Sequence, residues 1–159
     1  SLENIGTWVN DWGKLYEDKI KKKNKTLNNL FPMACPAFVP LIEEGIIDNE
    51  IMDLTIKYYL DDFMKTHSID TLVLGCTHYP LISKNLKRIY PGVKIINSSK
   101  EAATAVNIEL KKYDLLAEKR LGENVFYASD LSENFMNMIQ LILGKYQEEL
   151  NIRFKNLDL

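Results

Sequence analysis

Asp70-Thr71-Leu72-Val73-Leu74-Gly75-Cys76-Thr77-His78-Tyr79-Pro80 is the stretch on which the fold of this 159-residue chain turns. Its first half is a continuous apolar, β-branched run, the signature of a strand buried on both faces of a parallel sheet. Its end carries a proline suited to open a helix through Leu81, Ile82, Leu86 and Ile89. Strand, short polar loop and helix make half of a βαβ unit, so the neighbouring segments should alternate in the same way.

They do so in both directions. Downstream, Pro91-Gly92 turns the chain into a strand over 93–96, and a helix follows over about 100–112. A strand at 125–128 comes next. Asp130 with Glu133 then reads as a capping box for a helix through Phe135, Met138, Ile139 and Ile142, stopped by Gly144. The charged tail after Lys145 is expected to continue that helix or to fray. Upstream, Asp48 is expected to cap a helix whose Ile51, Leu54, Tyr58 and Phe63 face the core. Leu30 to Ala34 reads as a short strand, and Pro36 opens a short helix through Phe38, Val39, Leu41 and Ile42 that Gly45 ends. The opening segment spaces Ile5, Trp8, Val9, Trp12, Leu15, Tyr16 and Ile20 by threes and fours, which predicts a helix over 7–23 capped by Thr7. The lysines at its end, Lys19 to Lys25, suit the negative pole of the helix dipole. The whole pattern predicts an α/β fold with mainly parallel strands.

Composition narrows the function classes. Hydrophobic residues make up 46% and charged residues 26%, the balance of a folded globular chain. Twenty Lys+Arg against 22 Asp+Glu leave a net charge of −2, so no global basic field favours a nucleic-acid partner. No apolar run approaches the ~20 residues of a membrane helix. Two cysteines, Cys35 and Cys76, cannot form a secretory disulfide framework, and no charged-then-apolar leader opens the chain, so a cytoplasmic location is the expectation.

Chemistry concentrates at Cys76. The loop between a parallel strand and the next helix is where open α/β sheets bind ligands. A helix start there offers free backbone N–H groups to a carboxylate and favours the thiolate of a neighbouring cysteine. Gly75 permits close approach, Thr77 adds a hydroxyl, and His78 can exchange protons near neutral pH. The alternatives are a small buried Cys76 beside a surface histidine, a zinc site, and a thiol-peptidase dyad. Zinc lacks ligands, because no Cys-x-x-Cys pair completes a four-coordinate site. The dyad suffers because Cys76 and His78, two positions apart on extended chain, do not converge freely on one carbonyl.

The residues 74–81, Leu-Gly-Cys-Thr-His-Tyr-Pro-Leu, closely resemble the second active-site cysteine motif of the bacterial glutamate racemases, within the aspartate/glutamate racemase superfamily. A second stretch, Ala34-Cys35-Pro36-Ala37-Phe38-Val39-Pro40-Leu41-Ile42-Glu43-Glu44-Gly45, is similar to the family segment that carries an acidic active-site residue, matched here to Glu43 with Glu44 as the alternative. Gly6-Thr7 and Tyr16, and the stretch 125–144, show weaker similarity to a Thr/Ser-rich segment and to the final strand and helix. The chain departs from the pattern at Asn10 and Gly13, where the family has Thr and Ser, and at Asn97-Ser98, where it has Asp-Ser.

The resemblance implies cofactor-independent racemisation of glutamate, supplying D-glutamate for peptidoglycan, cell wall and cell shape, by two opposed cysteines. Cys76 would be one of them, with His78 and Glu43 as further catalytic residues and Thr77 and His78 contacting substrate. Neither a pyridoxal group nor a metal is implied, and the partners implied are glutamate and a missing N-terminal lobe that carries the first cysteine. Residues 1–97 would be the second α/β lobe of a two-lobe fold, and 98–159 a segment that returns to the first. Val125, Phe126, Phe135, Met138 and Ile142 would then be left partly unburied, an opening for a homo-oligomer. Cys35 reads as a buried thiol, and the isolated chain is expected to be inactive. The other functions considered are an aspartate or hydantoin racemase of the same superfamily and a catalytically silent binding domain.

Overall fold

The computed structural model of the protein describes residues 4–8, 22, 29–119, 122, 124–129, 131–144 and 150–156. Its main sheet has four parallel strands in the order β2-β1-β3-β4, formed by Asn4–Trp8, Asn29–Met33, Thr71–Leu74 and Lys94–Asn97 as β1 to β4 in chain order. Strand β3 takes an inner position because its side chains need cover on both faces, and Thr71, Leu72 and Leu74 are all buried. Pro32 lies in β2 at an edge of the sheet, where its missing N–H breaks no ladder.

Helices α1 (Phe38–Glu43), α2 (Glu50–His67) and α3 (Ser83–Ile89) supply most of the core around β3. Phe38 and Ile42, then Met52, Ile56, Leu60 and Met64, then Leu86, pack with Leu72 and Leu74. Gly45 ends the α1 turn with φ +73°, a conformation that favours glycine. Asn85 is buried on α3 and donates to the Ile47 carbonyl at 2.9 Å and to Asp53 at 3.0 Å. Arg88 closes the same Asp53 with two bonds, locking α3 to α2.

Several expectations need correction. Thr7 caps no helix: it lies inside β1, where Ile5 to Trp8 pair with both β2 and β3. Residues 9–21 and 23–28, which carry the rest of that expected helix, Asn10, Gly13, Tyr16 and all its lysines but Lys22, lie outside the described residues. The cap of α2 is Asn49, not Asp48: Asn49 has extended backbone and its side chain accepts from the Met52 N–H. The buried face of α2 is Met52, Ile56, Leu60 and Met64, while Ile51, Leu54 and Tyr58 are exposed and Phe63 is half-buried. The helix expected from Pro80 breaks into a 3-10 turn, Tyr79–Ile82, followed by α3.

The tail does not continue a helix or fray. After α4 (Ser98–Lys112), capped by the Asn97 side chain, strands β5 (Asn124–Ala128) and β6 (Leu150–Phe154) form a separate two-stranded parallel sheet. Helix α5 (Glu133–Leu143) connects them and is capped by Ser132; Asp130 lies outside the described residues. Neither α4 nor α5 has a buried residue. Val125, Phe126 and Ile142 are exposed, and Phe135 and Met138 are half-buried.

Candidate active site

Strands β3 and β4 end side by side, with Leu74 paired to Asn97, and the chain leaves β3 through Gly75 and Cys76. This is the carboxyl end of a parallel sheet. Two contacts hold the loop there. Behind it, the Ser98 hydroxyl donates to the Leu74 carbonyl at 2.7 Å. In front, buried Tyr79 sets its ring edge-on to Phe38 at 5.5 Å and donates its hydroxyl to the Cys35 carbonyl at 3.4 Å. The loop is thereby fastened to the start of α1, whose far end carries Glu43.

His78 is the junction of the site. Its Nε2 lies 3.2 Å from Glu43 Oε1, across 35 positions of sequence. Its Nδ1 lies 3.4 Å from Thr77 Oγ1 and 3.9 Å from Cys76 Sγ. An ionised carboxylate can only accept, so the network assigns the proton to Nε2 and leaves the Nδ1 lone pair toward the hydroxyl and the thiol. All four residues singled out in the sequence, Glu43, Cys76, Thr77 and His78, therefore come together. Of the two glutamates left open by the sequence, Glu43 reaches His78, and Glu44 lines the adjoining surface. Because the helix from Pro80 is interrupted, the helix dipole contributes little, and the polarity of the site comes from side chains.

The two cysteines sit in opposite surroundings. Cys76 is half-buried at the sheet end, within reach of an imidazole. Cys35 is 2% exposed, and burial pushes its thiol up to about 12, which keeps it protonated and inert. Burial likewise raises the Tyr79 phenol, which stays a hydrogen-bond donor.

A cavity of about 360 Å³ opens beside this junction, lined by Glu43, His78, Ser132, Asn134, Phe135 and Met138. The last four come from α5 and its cap. They could not be selected from the sequence, because a capping serine and an amphipathic helix give no sign of which distant loop they will face. Among the described residues, no group of three or more His, Cys, Asp or Glu is arranged to hold a metal ion.

No protein-family model matches the chain. Among curated proteins, it is 43% identical to a glutamate racemase of Persephonella marina over 140 residues, 88% of this chain and 51% of that protein. It is 41% identical to one from Sulfurihydrogenibium, over 91% of this chain and 53% of that protein. The crystal structure of the Francisella tularensis glutamate racemase in complex with D-glutamate superimposes with a TM-score of 0.83 at 30% identity, covering 99% of this chain and 59% of that one. A glutamate racemase isoform of Bacillus anthracis gives the same TM-score at 25% identity over 58% of its chain. The chain spans about half the length of the curated relatives it matches.

Proposed function

We propose, from the premise that this chain is a homologue of the glutamate racemases across about half their length, that it contributes one wall of a glutamate racemase active site. The observation that carries the reading is the convergence of Cys76, His78 and Glu43 at the end of β3. Residues 1–97 form the lobe that holds Cys76. The exposed apolar faces of α4, α5 and the β5–β6 ribbon pack on an N-terminal lobe that carries an opposed cysteine. A two-stranded parallel sheet is too small to be stable by itself, which supports its being part of a larger sheet.

Inverting an α-carbon requires removing its proton on one face and delivering one on the other. With one glutamate enantiomer, the Cys76 thiolate takes the Cα proton while the opposed thiol donates its own to the opposite face. The enzyme ends with the two protonation states exchanged, ready for the other enantiomer. His78 Nδ1 accepts the Cys76 proton when the thiolate must form, and the Glu43 carboxylate stabilises the resulting imidazolium through Nε2. Thr77 presents its hydroxyl to a substrate carboxylate. No step draws on a cofactor. The product, D-glutamate, serves cytoplasmic peptidoglycan synthesis.

The test uses this chain alone and reunited with the complementary lobe of a related racemase. L-Glutamate incubated with the chain alone gives no D-glutamate and no Cα–H exchange above a Cys76→Ala control, since one thiol cannot serve both faces. Adding the complementary lobe restores both, and Cys76→Ala abolishes them again. D-Glutamate formed by the chain alone, or turnover that survives Cys76→Ala in the reunited protein, would overturn the two-thiol assignment.

A further inference from the structure

We infer that Ser98 is a positioning residue for Cys76, coupling the junction of the two proposed lobes to the reactive thiol. The β3–β4 pairing ends at Leu74 and Asn97, after which the two strands part, β3 into Gly75-Cys76 and β4 into α4. The Ser98 hydroxyl spans that parting point and donates to the Leu74 carbonyl at 2.7 Å. Its bond is one side-chain rung beyond the backbone ladder, placed on the last carbonyl before the loop that turns toward Cys76. Leu74 is fully buried, so water cannot readily replace the donor.

The location gives the bond a second consequence. Ser98 is the first residue of α4, and Asn97 fixes the start of that helix by accepting from the Lys100 N–H at 3.1 Å. Rotation of α4 with the rest of the returning segment is therefore transmitted through a bonded, capped helix start to the base of the Cys76 loop. The loop's other side is held by Tyr79 against Phe38 and the Cys35 carbonyl. With one side fixed to the core and the other to the helix that returns to the first lobe, movement between lobes is felt at Cys76.

The catalytic consequence rests on the racemase reading, but the primary test needs no turnover, so failure of one is distinguishable from failure of the other. Amide hydrogen exchange is measured on this chain as wild type, Ser98→Ala and Ser98→Thr. In Ser98→Ala, the amides of residues 75–78 exchange about tenfold faster, while those of Leu72 and Ile95 inside the sheet change less than about twofold. Ser98→Thr, which keeps the hydroxyl, restores the wild-type pattern. In the reunited racemase, Ser98→Ala lowers kcat about tenfold and leaves KM within about twofold. Unchanged exchange at 75–78, an equal increase at Leu72 and Ile95, loss of folding in Ser98→Ala, or Ser98→Thr behaving like Ser98→Ala would each overturn the inference.

Discussion

Replacing Glu43 by Gln tests the charge relay at the site with little change in shape. Gln retains an oxygen that accepts from His78 Nε2, so the hydrogen bond persists and only the negative charge is lost. The charge lies 3.2 Å from the imidazole, and a unit pair at that distance attracts by about 1 kcal/mol in water and several times more at lower dielectric. Glu43 is 54% exposed and His78 30%, so the watery end of that range applies, about 1 to 1.4 kcal/mol. Formation of the imidazolium–thiolate pair should therefore become about five- to tenfold less favourable. The assay is alkylation of Cys76 by iodoacetamide at pH 7, followed peptide by peptide so that Cys35 serves as an unreactive internal control. Glu43→Gln is expected to slow Cys76 alkylation by about five- to tenfold, and Glu44→Gln by less than about twofold. A larger effect from Glu44→Gln, or no effect from Glu43→Gln, would refute the relay through Glu43.

Other substitutions probe the remaining claims. In the reunited racemase, Cys76→Ser should lose at least about a hundredfold in kcat, because a hydroxyl is a far weaker acid than a thiol. Cys35→Ala should leave kcat unchanged and cost about 1–2 kcal/mol in a urea melt, as expected for a small buried group. Asn85→Ala removes two bonds from a buried amide, one of them to a carboxylate, and should cost about 2–4 kcal/mol by the same measurement. The Arg88 hydrogen bond holds the Asp53 carboxyl below its ordinary value, opposed in part by burial. Its stabilisation is thus fully present above the unfolded carboxylate range near pH 4 and is lost as pH falls through the lower folded value. The stability gap between wild type and Arg88→Gln should be flat from about pH 5 upward and shrink below about pH 4 in urea melts across pH. A gap that widens toward acid would contradict the assigned ion pair.

Strands β2, β3 and β4 and the reactive loop are legible because their signals are local. A short continuous run rich in β-branched and apolar residues fits an inner strand buried on both faces, and the Cys76 motif follows it directly. The choice of helix face was not local. Helix α2 carries two apolar stripes, one through Ile51, Leu54 and Tyr58 and one through Met52, Ile56, Leu60 and Met64, and both satisfy helical spacing. Only the position of β3 and α1 decides between them. β1 is hidden in the sequence because Ile5 and Trp8 continue the helical spacing of the apolar residues that follow. β6 did have a signal, since Leu150-Asn151-Ile152-Arg153-Phe154 alternates apolar with polar in the period of a strand, but the charges around it suggested a frayed end. At the site, the residue types at Cys76, Thr77 and His78 were readable from the motif, whereas the choice of Glu43 over Glu44 required knowing which way the last turn of α1 faces.

The strand order has a consequence for how this chain tolerates shortening. β1 lies second in the sheet, paired to β2 on one side and to β3 on the other, although it comes from the first few residues. Chain ends are ordinarily the safest places to trim. Here a version beginning at residue 9 would lose the rung that bridges two halves of the sheet, leaving β2 with no neighbour and β3 with a bare edge. β1 must also wait for β3, more than sixty positions later, before its second ladder can close. The sheet that carries the Cys76 loop is therefore completed only after most of its own lobe has been made.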